Sequence, residues 1–180
     1  MQRKQLITIH LWLAAFFTPA ILLMAITGGL YLLGIKGSVD TEQVAQLPGE
    51  KLAFNKGEEK PRFDALLQQA GINDFSYSYV KDRGREAMTR PTSRTYYILR
   101  ETDAGLDVIR AEPSVIAGLI ELHKGHGPVV FRWLQIALAA ALVFIMVSGL
   151  WLGLQSPMLK NKTLLLSGAG VLVCVLIAAA

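Results

Sequence analysis

Three long apolar runs and one mixed stretch divide the chain. The first run, LITIHLWLAAFFTPAILLMAITGGLYLLG, extends from Leu6 to Gly34 without a charged residue. The second extends from Pro128 to Leu154 and the third from Thr163 to Ala180. Runs of roughly 18 or more apolar residues predict membrane-crossing helices. The first is about twice the apolar core of about 7–15 residues that a signal peptide carries, and no A-x-A site follows, so it reads as an uncleaved signal anchor. Fully helical, it would be about 40 Å long, more than the hydrocarbon core, and would tilt or protrude. Pro19 predicts a kink, with Thr18 placed to help satisfy the carbonyl that proline frees.

The mixed stretch, residues 36–127, alternates between helical and strand periods. Residues 36–60 are polar and carry Gly37, Pro48, Gly49 and Gly57, so they read as a linker with one short strand near Lys51–Phe54. In PRFDALLQQAG, Phe63, Leu66, Leu67 and Ala70 recur at i, i+3, i+4 and i+7, with Pro61 at the start and Gly71 at the stop of an amphipathic helix. DFSYSYVK alternates Phe75, Tyr77 and Tyr79 with Ser76 and Ser78, a half-buried strand. DRGREAMTRPTS reads as a loop, RTYYILRE and GLDVIR as two further strands around a turn at Asp103–Gly105, and EPSVIAGLIELHKG as a second helix opened by Pro113 and closed by Gly125. The fold class expected is an α-helical integral membrane protein: three transmembrane helices with a small α+β domain, helix, three-stranded meander, helix, between spans one and two.

Charge sets the orientation expected of these spans. Arg3 and Lys4 precede the first, and Lys160 and Lys162 lie between the second and third, so both sets belong on the cytoplasmic side. The central domain and the C-terminus then face outward, into the periplasm of a bacterial cell with an inner membrane. Arg132 and Trp133 suit the water–lipid interface near the start of span two. Gly149 and Gly153 form a G-x-x-x-G, and Ser167, Gly168 and Gly170 crowd span three, so close helix packing or a homodimer is expected beside glycine merely tolerated in a membrane helix. The net charge of +4 includes no basic cluster with interleaved aromatics, which argues against nucleic acid. Cys174, the single cysteine, excludes an intramolecular disulfide and reads as a small apolar residue of span three.

Candidate chemistry rests on the three histidines. His10 lies one turn inside the cytoplasmic end of span one, and His123 and His126 precede span two on the outer side. No P-loop, nucleophile elbow or dinucleotide-binding glycine motif is present. Neutral imidazole ligates haem iron, and two imidazoles from different helices can clamp a b-type haem. His123 and His126 are three residues apart and on a helix would share one face, whereas axial ligands approach iron from opposite sides. Their spacing also suits transient binding of a divalent metal, but two ligands are too few alone. His10 and His123 lie at opposite faces of a membrane about 30 Å thick. A bis-histidine site therefore requires a second copy, a partner subunit or another ligand. The alternatives are an interfacial His10, a His123 packed under the domain beside Ile116, Leu119 and Ile120, and a His126 that is simply a loop residue.

Two of these stretches resemble a known family. HLWLAAFFTPAILLMAITGGLYL, with His10, Trp12, Leu13, Thr27 and Gly28, resembles the first span of PepSY-associated transmembrane proteins. LHKGHGPVVFRWLQIALAAALVFIMVSGLWL is similar to that family's Leu-His-x-Gly corner and its span ending in Ser/Thr-Gly-Leu. The central domain is similar in order to a PepSY module, so the resemblance covers most of the chain. It implies kinship with iron-regulated inner-membrane proteins and ferric-siderophore reductases that hold b-type haems between histidines. Carried over by position, His10 and His123 are the ligand candidates, with His126 next. The implied function is haem b-linked transfer of electrons to an oxidised metal or siderophore complex. The rival expectations are a membrane-anchored module that binds a periplasmic protein, and an accessory subunit of a metal-uptake system. The chain departs from the reductase-type members in its three spans and three histidines, where those have more of both.

Overall fold

The computed structural model describes residues 2–55 and 57–180. Among them are five α-helices and one five-stranded antiparallel sheet. Three helices are long and apolar enough to cross a membrane: α1 (Arg3–Leu32), α4 (Val129–Leu154) and α5 (Lys160–Ala179). Helix α5 begins before the apolar run, so Lys160 and Lys162 stand in its first turn. The chain divides into two compact units, residues up to Ile21 with Ile136–Ala180, and Leu22–Gln135.

Pro19 lies inside α1, as expected, but the role expected of Thr18 is corrected. A proline at position 19 leaves the carbonyl of Ala15 without its helical donor. The Thr18 hydroxyl instead donates to the carbonyl of Ala14 at 2.6 Å, one residue short of it.

The second unit is built on a sheet of order β1-β5-β4-β3-β2, formed by β1 (Val39–Pro48), β2 (Tyr79–Asp82), β3 (Glu86–Arg90), β4 (Tyr96–Thr102) and β5 (Gly105–Pro113). The expected three-stranded meander thus gains two strands. Strand β1 arises from the presumed linker and pairs with β5 from Val39 opposite Pro113 to Pro48 opposite Gly105, with a bulge between Gln43 and Ala45. Strand β3 arises from the presumed loop, and no strand forms at Lys51–Phe54. The strand expected over DFSYSYVK shortens to Tyr79–Asp82, while Phe75 and Tyr77 pack on the core outside the sheet.

Side-chain alternation gives each face of the sheet its own core. On one face, Leu47, Ala87, Leu99, Leu106 and Val108 meet Phe63, Leu66 and Leu67 of α2 (Glu59–Gln69). Each large side chain so buried contributes about 1.5–3 kcal/mol. On the other face lie Met88, Ile98, Ile109 and Ala111, flanked by Tyr96. Helix α3 (Val115–His123) lies against β5 and buries Ala117 and Ile120. Pro113 does not open α3 but ends β5; Ser114 caps the helix, accepting from the backbone N–H of Ala117.

The turn from β4 to β5 requires Gly105. Its φ is +139°, and a Cβ there would stand 2.2 Å from the carbonyl oxygen of Leu47. Gly105→Ala is therefore expected to destabilise the sheet by about 1–3 kcal/mol. Gly84→Ala, with φ +84° but nothing near its Cβ, carries only the backbone part of that cost. Thermal unfolding of the two variants should rank them in that order, and equal midpoints would refute the close-approach argument.

Candidate functional site

His123 is the last residue of α3, and its position follows from how that helix stops. Gly125, at φ +76°, reverses the chain, and the Gln135 side-chain amide donates to the carbonyls of Leu122 at 2.9 Å and His123 at 3.2 Å. The Leu122 carbonyl also accepts from the Gly125 backbone N–H at 3.0 Å, so the Gln135 amide adds a side-chain donor to a helix end whose last carbonyls lie beyond the helical pattern. The exposed imidazole places Nδ1 3.0 Å from the hydroxyl of the buried Thr27 on α1. Thr27 has a single hydroxyl proton, and it is directed back along α1 to the carbonyl of Leu23 at 2.7 Å. With that proton on the carbonyl, the hydroxyl accepts from His123 Nδ1–H, the tautomer that keeps a free lone pair on Nε2. Gly28 leaves room for the ring: a Cβ there would stand 3.2 Å from His123 Cε1.

His10 is held in the same way within the other unit. Its Nδ1 lies 2.8 Å from the hydroxyl of Ser148 on α4, and that buried hydroxyl donates to the carbonyl of Ile145 at 3.2 Å. The next residue, Gly149, would bring a Cβ to 3.3 Å from His10 Cε1. Both imidazoles thus rest on a hydroxyl–glycine pair of a membrane-length helix, Thr27–Gly28 or Ser148–Gly149. The second glycine of the G-x-x-x-G, Gly153, faces Thr163, whose Oγ1 would lie 2.8 Å from a Cβ there.

His126 belongs to a different environment. Helix α3 has ended by then, so the shared helical face expected for His123 and His126 is corrected: His123 turns to Thr27 and His126 to Glu121. His126 Nδ1 lies 2.7 Å from Glu121 Oε2, and its backbone N–H donates to the Glu121 carbonyl at 2.9 Å. The same carboxylate accepts from Thr92 and Lys124 and from Arg90 Nη1 at 3.2 Å. Burial pushes the Glu121 carboxyl up, but the bonds from Lys124, Thr92 and His126 outweigh it and hold the group at about 2. Burial, with repulsion from Arg90 and Lys124, holds the His126 imidazole below its ordinary value despite the Glu121 bond. Among the described residues, no three His, Cys, Asp or Glu side chains cluster as a metal site.

The Arg90–Thr92–Glu121 network has no local signature in the sequence. Arg90 and Glu121 are 31 positions apart, and Arg90 ends a strand that reads as loop. Arg132, expected at the lipid interface, lies with its guanidinium 5.7 Å from the ring centre of Tyr79. Comparison of the chain with protein-family models, with curated proteins and with solved structures gives no match.

Proposed function

We propose that the chain is an inner-membrane protein of b-type haem-linked electron transfer, supporting reduction of ferric, siderophore or other metal complexes. The supporting observation is the common treatment of His10 and His123. In each, a hydroxyl is placed to accept from Nδ1–H, a glycine leaves space beside the ring, and that tautomer keeps on Nε2 the lone pair that would ligate haem iron. Each site would offer haem iron one imidazole, and a second copy of the chain or a partner subunit would have to supply any further ligand. Bound haem would supply the one-electron carrier. The chain's own residues fix the tautomer and orientation of each imidazole. Arg3 and Lys4 at the start of α1 and Lys160 and Lys162 in the first turn of α5 favour the cytoplasmic side for both, with a PepSY-like central domain in the periplasm.

Protein purified in mild detergent from haem-replete cells is expected to be red, with visible bands that sharpen on reduction. His10→Ala and His123→Ala should each lose part of that absorbance, and His126→Ala should keep it. A colourless wild-type preparation would overturn the reading. It would leave a membrane-anchored interaction module or an accessory subunit of a metal-uptake system.

A further inference from the structure

The face of the sheet turned away from α2 carries a cavity of about 310 Å³, at the small end of the ~300–1,000 Å³ typical of small-molecule sites. Lys36, Arg83, Arg90 and Lys124 line it, against the single carboxylate of Glu121. Its floor is apolar, with Val39, Met88 and Ile120, and Tyr96 stands beside them. Glu121 neutralises only part of the positive charge. Lys124 and Arg90 pair with it, while neither Lys36 nor Arg83 pairs with a carboxylate among the described residues. The Arg90 side chain is 6% exposed, and its Nε has no hydrogen-bond partner among the described residues. A buried donor without a partner is costly, and surplus cations over an apolar floor disfavour an apolar or cationic occupant.

We propose that this cavity binds a small organic carboxylate with an apolar body. Arg90 and Lys124 already hold one carboxylate, that of Glu121, which shows the geometry the wall accepts. Arg83 and Lys36 supply the charge for a second, and a planar guanidinium matches a carboxylate in a fork. The apolar floor takes the hydrocarbon part. This assignment uses neither His10 nor His123 and stands independently of the haem reading.

The test is the unfolding temperature of the full chain in detergent, titrated with phthalate, with citrate and with glycerol phosphate, each at ionic strength matched by sodium chloride. A ligand that binds only the folded state raises the midpoint with concentration. Phthalate should give the largest saturable rise and citrate, which has no apolar body, a smaller one. In the double variant Lys36→Gln, Arg83→Gln, whose side chains hold no part of the folded network around Glu121, phthalate affinity should fall about tenfold or more. No saturable shift with phthalate, or the same affinity in the double variant, overturns the proposal. Glycerol phosphate shifting the midpoint as much as phthalate also overturns it, and would point to a phosphate such as a lipid headgroup.

Discussion

Glu121→Leu is expected to cost the central domain about 3–5 kcal/mol, because it removes one partner of a buried ion pair and leaves the other charge in place. Arg90 is the charge left behind. Its side chain is 6% exposed, and its remaining partner is the Thr92 hydroxyl at 2.6 Å. The same substitution frees the Thr92 hydroxyl, the His126 Nδ1 proton and Lys124. Lys124→Ala, at the exposed edge of the network, should cost no more than about 1 kcal/mol. Thermal unfolding of the two variants decides the matter, and a Glu121→Leu cost below that of Lys124→Ala would refute the network.

The pH dependence has a definite sign. A carboxyl held at about 2 in the folded chain, against an ordinary 4.5, stabilises the fold fully above pH 4.5, and that stability is lost as pH falls toward 2. His126 acts in the same direction. Its folded value is depressed, so below about 6.5 the unfolded chain binds the proton more readily. Glu121→Gln should flatten the acid part of the stability profile.

What could be read from the chain follows how each element is held. Helix α2 is held by one buried face, and burial of a helical face leaves a local period, so Phe63, Leu66 and Leu67 were legible. The three long apolar helices were legible because each is a long run with few charges. Strand β1 is held by backbone pairing to β5 at an edge, with most of its side chains exposed, so VDTEQVAQLP carries no alternation. Strand β3 is buried on both faces and ends in a charged residue, so EAMTR has the composition of a loop. The Thr-Gly and Ser-Gly pairs are visible as letters. Their use is not, since Thr27 meets a histidine 96 positions away and Ser148 one 138 positions away.

Thr27→Val tests that use directly. Valine keeps the shape of threonine on α1 and removes the hydroxyl that accepts from His123 Nδ1. Without it, nothing at that position fixes the proton on Nδ1, and the imidazole is free to place it on Nε2 and lose the lone pair there. Loss of a partner that orients a ligating histidine typically weakens metal binding by about 10–100-fold. Under the haem reading, Thr27→Val should therefore lose haem at dilutions where wild type retains it, and Thr27→Ser, which restores the hydroxyl, should recover it. Ser148→Ala should do the same for the His10 site. The tautomer can be followed without haem, from the ring ¹⁵N shifts of His123. Wild type should report a protonated Nδ1 and Thr27→Val a mixture. If the shifts of the two agree, the hydroxyl does not set the tautomer. If the shifts differ while haem content does not, Thr27 orients the ring for some other task, and His123 is not the axial ligand.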